Sequence, residues 1–522
     1  MEAIGYGAFE ALARAFPVAC SSDEFYYFPQ VRAAEPVWSA WDRFCPETVA
    51  EVAEGLSAWE YELEEIDRSR PAPELQADIN LLRGLVRTLR EQLSEVRGWE
   101  FQPSLYLTLA GIGLAEAMEA EDPAAKHERA GNLHLFLDQA GRNLNGVPEL
   151  FRDIGLEMVR DTGQFFLLLK ERLPELRTAI DALDRFEQRL KSVSTRPDFR
   201  LPQEMAERVF QSHIGCGLDL EQIGRVLDRE ESEMRQVLEQ EAARLGPGRA
   251  GTATTPRPWL KVYGSIPGPS MGEGGAIGLF RNEVAAMGRH CLEQGLIQKE
   301  LFLSCPVSVE PMPDFLAAIR TGASYSIPPR HPPRGGTFHV ARQVGAGARA
   351  GFLREYRMTC AHEAYPGHHL LDASRWSLPQ PLGRAIERPI FYEGWACFAE
   401  EIMRLTGYFS QRYDRLLLAR RRLTHAVRAR VDVGLQTGSM NIEEAAACLQ
   451  STGISGERAL TLARNYTLNP GYQLCYTLGL RRFLELSEQY GRGRLAGFVR
   501  TVLGQGEIQF ADLAQVLGRS NI

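Results

Sequence analysis

The sequence predicts a mainly α-helical protein with a small β element, and three observations carry that expectation. Stretches before residue 245 and after about 347 repeat apolar residues at steps of three and four, the period of a helix face. Proline and glycine interrupt that pattern over 246–278 and again over 301–340, where they alternate with short apolar runs of strand length. Over 522 residues, 44% hydrophobic and 24% charged side chains give the balance of an ordinary globular chain rather than a disordered one.

A chain of this length exceeds what one core supports, so more than one structural unit is expected. Residues 1–245 read as successive helices with short breaks. In the clearest, from Pro73 to Val96, Leu75, Ile79, Leu82, Val86, Leu89, Leu93 and Val96 form one apolar stripe. Packing within the chain is the favoured use of that stripe, and it is also the candidate face of a homodimer. Another helix is expected from Pro174, carrying Leu176, Ile180, Leu183, Phe186 and Leu190 on one side. Residues 246–278 read as a Gly/Pro-rich linker or loop. The run from Gly272 to Gly278 superficially resembles a dinucleotide loop, but its third glycine is one position late and no Val/Ile-rich strand precedes it.

Residues 279–522 read as a metal-binding catalytic region, with the β element near 301–340 and its prolines suited to edge or hairpin strands. Asn441 with Glu444 resembles a capping box, and Asn469-Pro470 is expected to open a helix running towards Gly491.

Net charge of -8 gives no reason to expect a nucleic-acid or acidic-membrane partner. No run approaches the ~18 apolar residues of a membrane span, and Met1 to Gly5 lacks the basic and apolar segments of an export signal, so a cytoplasmic location is expected. Nine cysteines without a Cys-x-x-Cys pair read as reduced, mostly buried thiols.

The chemistry concentrates in His362-Glu363-Ala364-Tyr365-Pro366-Gly367-His368-His369, which holds three of the 10 histidines. Zinc hydrolases of the His-Glu-x-x-His type set two imidazoles one helical turn apart, with the glutamate placed to take a proton from water. Here the fourth position is Pro366. On an unbroken helix His369 would be nearly eclipsed with His362 but about 10 Å along the axis, too far to share a metal whose bonds are ~2 Å. Pro366 lacks an N–H and Gly367 tolerates backbone angles that other residues avoid, so this pair is expected to form a bulge or kink that absorbs two extra residues and brings His368 beside His362. Ligands are then His362 and His368, with His369 as a supporting residue or the alternative ligand. Glu393 is the candidate third ligand, Gly394 would permit close helix approach, and Glu400, one heptad on, is placed to orient a ligand histidine. Glu363 takes the role of general base.

With these residues the chain resembles the bacterial domain-of-unknown-function 885 family, metallohydrolase-like proteins marked by His-Glu-x-x-Pro-Gly-His-His and distantly similar to zinc peptidases of the gluzincin type. The resemblance runs from about Thr255 to the C-terminus and includes Ala323-Ser-Tyr-Ser, Arg334-Gly-Gly-Thr-Phe, Glu393-Gly-Trp-Ala, Arg428 to Leu435, Pro470-Gly471, Tyr476 and Gly479. It implies a large helical metallopeptidase-like body with a deep central cleft, bound Zn2+ and cleavage of an amide or related bond. Residues 1–245 are expected to form one cleft wall.

Arg428 and Asp432, four apart, either pair on a helix surface or line the cleft. Tyr476 is either an oxyanion donor or a core aromatic. Arg428 or Arg481 is the candidate for a terminal carboxylate of the substrate. Gln436 stands where the family usually has His, Met440 where a Trp is common, and His339 where Tyr is usual. Because Gln exchanges no proton near neutral pH, Gln436 suggests a changed substrate. The sequence therefore reads first as a zinc-dependent hydrolase of a peptide-like amide, carboxypeptidase fashion, acting on a peptide or small-molecule substrate. The alternatives are a hydrolase of a non-peptide acyl chain in secondary metabolism and a metal-stabilised binding protein without catalysis.

Overall fold

The computed structural model describes residues 2–35, 37–69, 72–119, 123–246, 257–313, 322–341 and 351–519. They are mainly α-helical with two small sheets, and form two compact units. One unit comprises Met1–Leu201 with Pro313–Thr321 and Gln380–Glu387; the other comprises Pro202–Met312, Gly322–Pro379 and Arg388–Ile522.

In the first unit the apolar stripe from Pro73 becomes the helix Pro73–Glu91, continued by a wider turn over Gln92–Val96. Ile79, Leu82, Val86, Leu89 and Leu93 from it are buried, whereas Leu75 is 36% exposed. Helix Pro123–Asn143 packs on Leu176–Ser192, and Pro103–Glu119 on Glu149–Leu169. The helix expected from Pro174 begins two residues later, at Leu176, and buries Leu176, Leu183, Phe186 and Leu190. A two-residue parallel pairing of Val147 with Thr195 and Pro148 with Arg196 went unannounced, because two residues carry no periodicity.

The second unit begins before the expected linker. Its helix Leu220–Leu245 packs on Asp414–Thr437, and fully buried Glu230 meets Arg422 at 2.7 Å and Arg481 at 3.1 Å. No pattern local to residues 220–245 could reveal partners about two hundred positions away. Within 246–278, residues 247–256 lie outside the described residues, while Pro258–Ser265 is a helix and Gly275–Glu293 starts another. The β element falls where expected. Val307–Pro311 runs parallel to Gly336–Val340, and Ala323–Ser326 pairs antiparallel to the other side of that central strand.

Helices Pro389–Leu405 and Leu474–Tyr490 cross where Gly394 meets Gly479: a Cβ on Gly394 would lie 2.5 Å from the Gly479 Cα. The glycine pair lets two backbones touch, and Trp395, Phe398 and Phe391 pack around Phe483 beside it with ring centroids 5.0–5.7 Å from that of Phe483. The second helix begins at Leu474 rather than at Asn469-Pro470. Asp432, across on Asp414–Thr437, accepts from the backbone N–H of Gly471 (3.1 Å) and Gln473 (3.0 Å), doing from a distance what an N-cap does locally. The expected capping box of Asn441 and Glu444 is present, each side chain accepting from the other's backbone N–H at 2.9 Å.

Candidate metal centre

Helix Tyr356–Glu363 ends at the second residue of the motif, and a new helix, His368–Ser377, starts at the first of the paired histidines. The interruption is a complete break rather than a bulge, with a cis Tyr365–Pro366 peptide. Trp395 Nε1 donates to the Pro366 carbonyl at 2.9 Å, fixing the break to the helix that carries Glu393. Gly367 is needed for a different reason from the one its sequence suggests. Its φ of -77° suits any residue, but a Cβ there would overlap the carbonyl oxygen of His362.

The break brings the His362 and His368 rings within 4.8 Å, nearly perpendicular at 89°. Glu393 Oε2 faces His362 Nε2 at 3.4 Å and His368 Nε2 at 3.7 Å, and all three residues are buried. Metal bonds of ~2.0–2.2 Å meeting at a tetrahedral angle separate the donor atoms by about 3.3–3.6 Å, so these spacings suit a cation. Glu393 Oε2 is otherwise without a hydrogen-bond partner, while Oε1 accepts from Tyr472 at 2.6 Å and Tyr476 at 2.8 Å. One carboxylate oxygen is thus saturated and the other is presented to the two imidazoles. That donor set, two neutral nitrogens and one oxygen, fits zinc and other borderline cations.

His362 is oriented from behind by Glu400, 3.1 Å from Nδ1. Burial alone would raise the Glu400 pKa, but the Arg421 charge and the His362 contact hold it below the usual range. Arg421 grips both Glu400 oxygens at 2.8 and 2.9 Å. Cys397 also lies close enough to His362 and Glu400 for their ligand atoms to fall within 4.8 Å. His368 is backed by the Tyr392 ring, stacked at 3.9 Å.

His369 does not join the cluster. Its Nε2 faces the Cys305 carbonyl at 3.0 Å, an acceptor only, so that nitrogen carries the proton, and Nδ1 accepts from Tyr325 at 3.1 Å. Burial lowers its pKa to about 4, against the pull of that carbonyl, and keeps the ring neutral. Glu363, half-buried at the helix end, has no hydrogen-bond partner among the described residues.

The remaining candidates separate by their partners. Arg428 and Asp432 do not pair with each other: Asp432 is spent on backbone N–H groups, and Arg428 donates to Gln473 Oε1 at 2.8 Å. The Arg428 guanidinium lies 4.5 Å from the Tyr476 ring centre and 5.6 Å from that of Tyr466, and among the described residues it makes no ion pair. Arg481 is neutralised by Glu230 and by Glu233 at 2.8 Å. Gln436 is buried, and its side-chain amide donates to the Thr467 carbonyl at 3.4 Å.

Sequence reasoning missed Tyr472, Arg421 and His425. His425 is buried, stacks on Tyr476 at 4.8 Å and 5°, and leaves Nε2 unpartnered; burial, then Arg428 and Arg421, hold it neutral. Tyr472, four residues before Tyr476, could have been found from that spacing. Arg421 and His425 had no signal beyond helical phase with Arg428.

Fold and centre together define an α-helical protein with a buried His-His-Glu candidate metal centre contributed by three helices. The chain belongs to the family described as bacterial protein of unknown function (DUF885), which it matches over residues 167–517. No curated protein is similar to it in sequence. Among solved structures it is similar to a "putative lipoprotein of unknown function" from Shewanella oneidensis, at 16% identity and a TM-score of 0.77, over 98% of this chain and 99% of that one. A "putative lipoprotein" from Colwellia psychrerythraea is similar at 16% identity and a TM-score of 0.75, over 99% and 98%. The M32 carboxypeptidase of Deinococcus radiodurans R1 is a remote match, at 13% identity and a TM-score of 0.39 over 91% and 87%.

The two whole-length relatives overturn the expectation of a cytoplasmic location, since lipoproteins are membrane-anchored. That expectation rested on missing an export segment, and an absence does not assign a compartment. Among the described residues no helix is long and apolar enough to cross a membrane.

Proposed function

We propose that this chain is a zinc-dependent hydrolase of peptide-like amides that carry a free carboxylate next to the scissile bond. The convergence of His362 Nε2, His368 Nε2 and Glu393 Oε2 at donor spacings of 3.4 and 3.7 Å carries this reading. His362, His368 and Glu393 would hold the zinc, which would supply Lewis acidity towards the substrate carbonyl and a water molecule. Glu363, next to a ligand in sequence and without a competing partner, takes a proton from the attacking water and returns it to the departing nitrogen as the C–N bond breaks. Glu393 Oε1 holds two phenols, so Tyr476 can turn its hydroxyl to the developing oxyanion while Tyr472 keeps Oε1 satisfied. Arg428, without an ion-pair partner among the described residues, receives the substrate carboxylate; Arg481 is already neutralised and does not.

The purified protein is expected to carry one zinc per chain and to hydrolyse N-acylated dipeptides. Glu363→Gln is expected to retain zinc and lose activity by roughly 10²–10⁴-fold. A chain that neither contains nor takes up a transition metal, or a Glu363→Gln variant as active as the wild type, refutes the reading. Arg428→Gln is expected to raise KM about tenfold or more for substrates with a free carboxylate and little for their amides, with Arg481→Gln near wild type for both.

A further inference from the structure

The first unit holds a second candidate site, independent of the metal centre. Between helices Pro17–Ser21 and Pro46–Arg68 the chain runs through more than twenty residues without helix or strand among those described. Connections of that length inside a compact unit are uncommon and tend to be functional. Its later part, Trp38–Asp42, is held in place. Asp42 accepts from the N–H of Val18 at 2.7 Å and of Ala19 at 3.1 Å, and Trp41 Nε1 donates to the Arg129 carbonyl at 2.9 Å. Arg129 Nε donates to the Trp38 carbonyl at 2.9 Å, and Asn132 to that of Ser39 at 3.1 Å.

The pinned loop encloses a cavity of about 290 Å³ lined in part by Arg14, Arg32, Arg43, Arg129, Glu35 and Trp38. That is close to the lower end of small-molecule pockets. Two of the four guanidiniums are already balanced, Arg14 by Glu10 at 2.6 Å and Arg129 by Glu116 at 3.3 Å. Among the described residues no carboxylate lies within 4 Å of the Arg32 or Arg43 guanidinium, Glu116 acting on Arg32 only at longer range, and the Trp38 ring centre lies 5.1 Å from Arg32 and 5.4 Å from Arg129. Val37, 60% exposed, adds an apolar side chain at the same pocket. Two guanidiniums without a direct carboxylate contact, beside an aromatic side chain and an aliphatic one, outnumber the lone Glu35 of the lining and suit a ligand with one anionic group and a compact apolar body.

We propose that this pocket binds a small amphiphilic organic anion, its charged group held by Arg32 and Arg43 and its apolar body against Trp38. Calorimetric titration of the full chain with N-acetyl-L-phenylalanine and with phenyl phosphate separates carboxylate from phosphate as the anionic group. Neutral N-acetyl-L-phenylalaninamide is the control. At least one anion is expected to bind at one site per chain, roughly tenfold or more tighter than the neutral amide. Substitution of both arginines (R32Q with R43Q) is expected to weaken that binding by a further tenfold or so, with the melting temperature unchanged because both side chains are exposed. Glu393→Gln, which alters the metal centre, is expected to leave it intact. Absence of binding by both anions, equal binding of the neutral amide, or binding lost with Glu393→Gln and kept in the arginine double variant would each overturn the proposal.

Discussion

Two of the Pro-Gly steps in the second unit, Tyr365-Pro366-Gly367 and Asn469-Pro470-Gly471, need their glycines for opposite reasons. Gly367 has a φ open to any residue but no room for a side chain, because the carbonyl of His362 occupies the space. Gly471 sits at φ +85°, where L-residues are strained, and its nearest obstacles are the side chains of Ile214 and Phe210 at 2.9 Å, which can shift. The first break folds the chain tightly enough to set two imidazoles side by side. The second hands the start of a helix to Asp432, whose carboxylate receives the N–H groups that the break leaves over. The same dipeptide is a steric necessity in one place and a conformational one in the other.

Substitutions can test that contrast, the largest effect first. Gly367→Ala forces a methyl group into backbone that cannot yield without moving His362 or His368, so it is expected to cost about 3 kcal/mol or more and to abolish zinc uptake. Denaturant unfolding with metal analysis checks both. A variant that keeps full zinc occupancy would remove the steric account. Gly471→Ala is expected to cost about 1–2 kcal/mol from its left-handed backbone, with zinc content near wild type. Equal zinc loss in the two variants would erase the distinction.

A further effect, a pH dependence, is confined to the second break. Burial raises the Asp432 pKa to about 7, opposed by the hydrogen bonds from Gly471 and Gln473 and by the Arg428 charge. Such an acid holds its proton longer folded than unfolded, so its contribution to stability falls as pH rises from about 4 to about 7, by at most about 1.4 kcal/mol per pH unit. Asp432→Asn is expected to flatten that slope in urea melts taken between pH 4.5 and 7.5. An unchanged slope would place the carboxyl's ionisation elsewhere.

Much of the centre was legible because it is encoded locally. The break at Pro366-Gly367, the approach of His368 to His362, the heptad from Glu393 to Glu400 and the helix contact at Gly394 all follow from spacing and from what proline and glycine cannot do. The partners were not legible. Arg428 and Arg481 look alike on paper, and only packing shows one held by a neutral Gln473 and the other by two glutamates of a helix some 250 residues earlier in the chain. The paired histidines look equivalent too, until Cys305 and Tyr325 claim both nitrogens of His369.

By itself, then, the sequence determined the helical class, the site of the β element and the backbone rupture that makes two histidines neighbours, because periodicity and the covalent limits of proline and glycine act within a few residues. The tertiary structure alone decided which charges are already spent, which oxygen of Glu393 is open, why Gly367 admits no side chain, and that a loop of the first unit brings Arg32 and Arg43 to the lining of one pocket. Those depend on atoms brought together from tens to hundreds of positions apart, where burial and partner geometry rather than residue type set what a side chain can do.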